Sequence, residues 1–413
     1  MEKRIPVLFL SYDGMTDSLG QSQVIPYLQG LSKRGFDITI LSFEKKERFE
    51  KLGTKIESLL RSFNISWQPL PYTKSPPVFS TLYDVASMYR VAEKLHLEKK
   101  FRIVHCRSYI AALAGERMKK KFGIKFIFDM RGFWADESVE AGIWNLSNPL
   151  FRTVFKYFKK KEKDFFANAD YTISLTHAGE KEIHSWRRFE KIPVAVIPCC
   201  ADFEIFSPAK INPLLLPVLK KNFSIAENDF VLSYLGSVST WYRLDEMFRF
   251  FQFIQKKKEN AKFLFITNDS KEVILNAAEK CGVERGNVVI TSAVREEVPT
   301  HIALSHLSVF FYKDGFSRSA TSPTKQAEVM GMGIPHVCNT GVGDVEMIVK
   351  ESGAGYAVKK FDAEEFEKAF AFVSAMKISA EEIRNAAIKY YSLENGIEKY
   401  YSVYETLLKD TTP

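Results

Sequence analysis

Gly315-Phe-Ser-Arg318-Ser-Ala-Thr-Ser322-Pro323-Thr324-Lys325-Gln-Ala-Glu328-Val-Met-Gly331-Met-Gly333-Ile-Pro335 is the stretch from which the fold can be read outward. Ser322 as an N-cap and Pro323 as first helical residue predict a helix that stops near Gly331. Lys325 falls in its first turn, where a cation opposes the positive end of the helix dipole, and no Glu or Gln closes a capping box. Such a start makes sense if an anion sits on it. Free backbone N–H groups, the hydroxyls of Ser322 and Thr324, and Lys325 would hold that anion. Glu328 lies four residues after Thr324 on the same helical face, where its carboxylate suits the vicinal diol of a ribose. A phosphate at the helix start with a ribose one turn in describes a nucleoside-diphosphate site, and Arg318 just upstream adds charge to it. The bland reading is an ordinary Ser-Pro helix with exposed Lys and Glu.

Around this stretch, short apolar runs alternate with helical patterns. The expected strands of the first half are Val7–Leu10, Ile38–Ser42, Ile103–His105, Phe126–Asp129, Tyr171–Leu175 and Val194–Ile197. Those of the second are Phe230–Leu235, Phe263–Thr267, Val288–Ile290, Leu307–Phe311, Pro335–Val337 and Tyr356–Val358. Val24, Tyr27, Leu28 and Leu31 follow helical spacing, as do Leu244, Met247, Phe248 and Phe251. Both halves open with a strand, a glycine-containing turn (Gly20-Gln21-Ser22; Gly236-Ser237 through Ser239) and an amphipathic helix. The expected class is α/β, with two Rossmann-like domains facing across a cleft. The expected boundaries are 1–205, 206–391 and a C-terminal helix over 392–413 that crosses back to the first domain. Neither turn has the G-x-G-x-x-G order, which argues against a dinucleotide-dependent dehydrogenase.

Other candidates stand at strand ends. Asp129 follows a buried-type strand, where open α/β sheets place their sites, and opens the dense segment Asp129-Met-Arg131-Gly-Phe-Trp134-Ala-Asp136-Glu137. Carboxylates with an aromatic face suit a sugar; the alternative is a local Asp–Arg pair with Trp134 packed inside. His105 ends another strand, as a ligand contact or as a satisfied core histidine. His177, His184, His301 and His306 lack metal spacing, and no Asp-x-Asp pair is present to hold a metal on a diphosphate. The expectation is therefore no metal and no cofactor, with cationic side chains and a helix dipole in their place. Residues 151–166 are basic and aromatic at helical spacing. Their aromatics are expected to face the core and their lysines water, with contact to anionic lipid as the alternative.

The 413 residues, 46% hydrophobic and 14% aromatic, bear a net charge of +8. That length implies two domains rather than one core. The charge suits a phosphorylated ligand or an anionic membrane surface, and no nucleic-acid-binding signature accompanies it. Five cysteines, an odd number without a C-x-x-C pair, read as reduced thiols. Neither a signal sequence nor a membrane span is expected, so the sequence reads as cytoplasmic, with peripheral contact to the inner face of a membrane left open.

In order and spacing, these pieces resemble glycosyltransferase family 4, of the GT-B fold and retaining chemistry. The resemblance runs nearly end to end: the Gly20-Gln21 turn, Ile197-Pro198-x-x-x-Asp202-x-x-x-Phe206, Leu235-Gly236-Ser237, Ser322-Pro323-Thr324-Lys325-x-x-Glu328 and Gly333-Ile334-Pro335. The Asp129–Glu137 segment is similar to a subgroup associated with bacterial surface polysaccharides such as lipopolysaccharide. The resemblance implies a nucleoside-diphosphate sugar as donor and a glycan or lipid-linked glycan as acceptor. It implies donor contacts at Gly20, Gly236, Ser237, Arg243, Arg318, Ser322, Thr324, Lys325 and Glu328. Asp129 and Arg131 stand in the family's active-site region, and His105, Trp134, Asp136 and Glu137 are the acceptor-side candidates. Two features depart from the pattern. Ala320 occupies the place of the family's first glutamate, and Ser237 that of a diphosphate-clamping arginine, with Tyr242-Arg243 near the usual lysine. A nucleotide-sugar epimerase and a non-catalytic scaffold on the same fold are the alternatives.

Overall fold

The computed structural model describes residues 4–238 and 240–409. Ser239, in the second glycine turn, and residues 410–413, at the end of the expected C-terminal helix, lie outside the described residues. The chain divides into two compact units. The first comprises residues up to 198, Ser319–Thr321 and those from Leu393 onward; the second comprises Cys199–Arg318 and Ser322–Ser392.

The first unit is built on seven strands: β1 (Ile5–Ser11), β2 (Phe36–Glu44), β3 (Ser66–Pro71), β4 (Ile103–Arg107), β5 (Lys125–Asp129), β6 (Tyr171–Ser174) and β7 (Val194–Val196). They pair in parallel in the order β3-β2-β1-β4-β5-β6-β7. The central strands are apolar nearly throughout because helices cover both faces. The order reverses between β1 and β4, so the crevice that such sheets offer a ligand lies at the carboxyl ends of those two strands. Strand β3 was not foreseen: Pro69 and Pro71 punctuate it, and it survives because it is an edge strand. The helix Ile25–Lys33 buries Ile25, Tyr27, Leu28 and Leu31 and packs against the C-terminal helix Leu393–Lys409. Tyr27 meets Tyr400 edge-on at 5.4 Å, and Phe36 meets Tyr404 at 4.9 Å.

The second unit has six strands: β8 (Phe230–Leu235), β9 (Ala261–Ile266), β10 (Val288–Thr291), β11 (Leu307–Phe310), β12 (His336–Asn339) and β13 (Gly355–Val358). They too are parallel, in the order β10-β9-β8-β11-β12-β13, with the reversal between β8 and β11. Met247, Phe248, Phe250 and Phe251 of the helix Leu244–Gln255 fill the core on one side of the sheet.

Two local expectations are corrected. Gly20 lies in a short helix, Ser18–Gln23, and not in a turn. A Cβ there would come within 2.2 Å of the Gly14 carbonyl oxygen, so the glycine lets the loop after β1 fold against the helix. Ser322 is not an N-cap. Pro323 takes that position with extended backbone (φ −71°, ψ 112°), the helix runs Thr324–Gly331, and the Ser322 hydroxyl accepts from the Cys199 N–H at 3.1 Å.

Candidate functional site

In the second unit the candidate residues gather at the switch point. The helix Thr324–Gly331 follows β11, and its first N–H groups lack intrahelical acceptors, as at any helix start. Lys325 and Glu328 are buried, not exposed as the bland reading required. The Lys325 ammonium donates to the Tyr234 hydroxyl at 2.7 Å and lies 4.1 Å and 3.8 Å from the ring centroids of Tyr234 and Tyr242. Burial lowers its pKa, while Tyr242, Glu328 and Asp269 oppose that shift. The two rings stabilise a cation that desolvation disfavours.

Gly236 follows β8 directly, beside this ammonium. Its φ is +103°, which favours glycine, and a Cβ built on it would lie 3.6 Å from Lys325 Nζ. The next residues are tied down: the Ser237 hydroxyl donates to Asp269 Oδ2 at 2.8 Å, and the Val238 N–H to the same oxygen at 2.6 Å. Lys325 therefore places a positive charge under the glycine turn from another part of the chain.

One turn into the helix, Glu328 pairs with Arg295, Nη1 to Oε1 at 3.3 Å. Burial raises the Glu328 pKa, and Arg295 and Lys325 counter it. The other two cationic candidates are engaged elsewhere. Arg243 is held by Glu246 at 2.9 Å and Asp314 at 2.6 Å and covers the ring of Phe361. Arg318 is buried over Trp241 at 4.5 Å and donates to the Ser317 hydroxyl. Beside the glycine turn a cavity of about 700 Å³ is lined by Val238, Thr240, Tyr242, Arg243, Asp269, Ser270 and Lys313, among others. Its volume is in the range of small-molecule sites.

In the first unit His105, Asp129 and Arg131 come together at the ends of β4 and β5. The Asp129 carboxylate, 2% exposed, accepts from Tyr400 at 2.9 Å on Oδ2, and His105 Nε2 lies 3.5 Å from the same oxygen. Arg131 Nη1 is 3.7 Å from Oδ1. Burial pushes this carboxyl up, but Arg131, His105 and Arg107 outweigh it and hold it down at about 2. His105 is lowered by burial despite Asp129, and its Nδ1 meets the Tyr404 hydroxyl at 2.8 Å. A cavity of about 10 Å³, room for about one water, is bounded by Gln23, Tyr27, His105, Arg107, Asp129 and Tyr400. Arg131 has φ +58°, a strained backbone for a side-chain-bearing residue, which turns the chain out of the sheet.

The remaining acceptor-side candidates do not join this cluster. The partly buried Trp134 packs against Trp144 at 5.0 Å, Phe158 at 4.9 Å and Tyr109 at 5.8 Å, at the margin of the first unit's core. Asp136 pairs with Lys159 at 2.7 Å, and Lys159 also holds the buried Glu162, to which Tyr109 donates. Glu137 is half-buried on the same short helix, Trp134–Glu140. Ala320 is 1% exposed within the first unit's core, and a Cβ on Gly179 would lie 3.0 Å from its methyl. The place of the family's first glutamate is thus filled by packing.

Sequence reading missed Arg295, Asp269, the three tyrosines Tyr234, Tyr242 and Tyr312, and Tyr400 with Tyr404. For Asp269 a signal existed, because it lies in the turn just after β9, near the carboxyl end of a strand, as Asp129 ends β5. Among the described residues no group of three His, Cys, Asp or Glu side chains is placed to hold a metal ion.

Comparison with known proteins agrees with this architecture. Residues 23–205 match the family model "Glycosyltransferase Family 4", and residues 217–390 match "Glycosyl transferases group 1". Among solved structures, a sucrose-phosphate synthase from Thermosynechococcus elongatus superposes with a TM-score of 0.73 at 12% identity, over 99% of this chain and 100% of that one. A glycosyltransferase from Rickettsia africae gives 0.72 at 14% identity, over 99% and 100%. Anabaena HepE in complex with UDP and glucose gives 0.69 at 13%, over 98% and 100%. No curated protein sequence matches significantly. The fold is the two-domain, Rossmann-like GT-B fold, and the chain belongs to the glycosyltransferases. Its first half carries the family 4 domain and its second the group 1 domain.

Proposed function

We propose that the protein transfers a sugar from a nucleoside-diphosphate sugar to a glycan or lipid-linked glycan, with retention at the anomeric carbon and without a metal. The reading includes work in the cytoplasm, in peripheral contact with a membrane. The observation that carries the donor assignment is the Lys325 ammonium beneath the Gly236 turn, at a helix start, with Glu328 one turn further on. The diphosphate would take the helix N–H groups and the Lys325 charge, and the ribose hydroxyls would donate to Glu328, oriented by Arg295. As the glycosidic bond of the donor breaks, charge grows on the leaving diphosphate, and a preorganised buried cation stabilises it. Asp129, enclosed by Tyr400 and His105, would act by holding Arg131. UDP is the first nucleotide to try, because the HepE structure contains it.

The test is thermal unfolding with UDP, GDP, dTDP, ADP and CMP, beside Glu328→Ala. Saturation at about a hundred times the dissociation constant stabilises a fold by about 2.7 kcal/mol. One nucleotide raising the midpoint, with the effect lost in the variant, supports the donor site; no shift with any of them overturns it. Incubation with the donor sugar alone then separates transfer, which needs an acceptor, from epimerisation, which does not.

A further inference from the structure

The second unit consists of two pieces of chain, Cys199–Arg318 and Ser322–Ser392, so it has four ends. Three of them meet. The Cys199 N–H donates to the Ser322 hydroxyl at 3.1 Å, the Ala201 N–H donates to the Tyr391 carbonyl at 3.0 Å, and Ala201 bridges to Ser392 in parallel. This junction lies at the start of the helix Thr324–Gly331, because Ser322 stands two residues before it.

The same helix is gripped by the helix Ala380–Tyr391. Ile383, Ala387 and Tyr391 recur every four residues as one stripe, and Ala327 and Met330 join them in a buried cluster. Lys325 and Glu328 turn instead to Tyr234, Tyr242 and Arg295. Two turns of helix are unstable alone and take their orientation from packing. Alanine and methionine against aliphatic side chains specify a rotation poorly, since methionine repacks readily.

One polar contact is set into this apolar interface. The Tyr391 hydroxyl donates to Gln326 Oε1 at 2.7 Å, and Gln326 Nε2 lies 3.2 Å from His336 Nε2 at the start of β12. All three side chains are buried. His336 stacks on Phe310, and burial lowers it to about 3, so it stays neutral and its Nε2 accepts from the amide. A buried amide bonded at both ends fits one rotation of its helix and is left unpaired by others. At the far end of the helix Arg384, from the same partner helix, donates to the Gly331 carbonyl at 2.5 Å.

We infer that Tyr391 is a positioning residue for the donor site: through Gln326 it fixes the rotation of the helix that presents Lys325 and Glu328, and a nucleotide held there in return orders the junction at Cys199, Ala201 and Ser392. The inference rests on the donor reading above. The coupling is reciprocal, since whatever Tyr391 contributes to binding, binding returns to the segments that Tyr391 holds.

The experiment is amide hydrogen exchange on the peptide containing Cys199 and Ala201, with and without nucleotide, beside isothermal titration. UDP, GDP, dTDP, ADP and CMP are first screened on the wild type by thermal shift, and the one that binds is used. In the wild type, nucleotide slows exchange at Cys199 and Ala201. Tyr391→Phe, which keeps the ring in its cluster, and Gln326→Met bind the nucleotide at least about tenfold more weakly and lose that slowing. Combining the two adds little, because both break one contact. Tyr390→Phe, whose hydroxyl meets Glu351, is the control and behaves as the wild type.

A merely structural tyrosine would lower the melting temperature and leave the affinity unchanged, and that result overturns the inference. So does nucleotide binding by the wild type that leaves exchange at Cys199 and Ala201 as it was; the donor site then stands without the coupling. If none of the five nucleotides shifts the wild-type melting temperature, the donor reading itself falls and the inference falls with it. Gln326→Met and the wild-type exchange decide the matter even where Tyr391→Phe does not fold.

Discussion

Tyr400 and Asp129 stand 271 positions apart in the sequence, and the Tyr400 hydroxyl donates to Asp129 Oδ2 at 2.9 Å. Both are buried, so the bond joins the C-terminal helix to the end of β5 in a setting where an unpartnered carboxylate is costly. Tyr400→Phe keeps the ring contact with Tyr27 and removes only the donor. It should destabilise the protein by about 2 kcal/mol, read as a lowered urea midpoint with an unchanged slope.

Asp129 is held at about 2 against an ordinary 3.8. A carboxyl depressed in the folded state contributes stability that is fully present above its unfolded value and lost as pH falls through its folded one. That places the loss between about pH 4 and pH 2, amounting to roughly 2 kcal/mol. Asp129→Asn should lack this contribution at neutral pH, and its unfolding free energy should approach that of the wild type near pH 2. Parallel denaturation curves across that range check it; two lines that stay evenly separated would contradict the assignment.

Lys325 separates a ligand role from a structural one. Its burial already costs stability, so Lys325→Met, similar in length and uncharged, should leave the melting temperature within a few degrees of the wild type or above it. Nucleotide binding should weaken by at least about tenfold, the loss of a charge-assisted contact. Isothermal titration with the nucleotide identified by thermal shift measures it.

Restoring the family's glutamate should fail. Ala320→Glu puts a carboxylate into packed core against Gly179, with desolvation and overpacking both unfavourable. We expect a loss of about 3 kcal/mol or more and no gain in transfer rate, which a melting curve and a turnover assay decide together.

The sequence revealed most where one segment carries its own logic. Lys325 in the first turn and Glu328 one turn on were legible because both lie on one helix. The cap was misplaced by one residue because Pro323, extended rather than helical, delays the start. What holds Lys325 was not legible: Tyr234, Tyr242 and their neighbour Tyr312 arrive from three separate segments, and no local spacing links them. Trp134 shows the converse case. The segment around it carries Arg131, Asp136 and Glu137, which suggested a ligand face, while its neighbours in space are Trp144 and Phe158. Asp129 was found by the rule of strand ends, but its partner Tyr400 could not be, since nothing in a tyrosine-rich helix names the strand it will meet.

The return of the last helix to the first unit sets a timetable for synthesis. A ribosome adding about 5–20 residues per second reaches Tyr400 tens of seconds after Asp129 has left the tunnel. By then the last residue of the second unit, Ser392, has also been added to the chain. The unit that is begun first is finished last, and until then its buried carboxylate and histidine wait, open to water and to chaperones, for the two tyrosines that close over them.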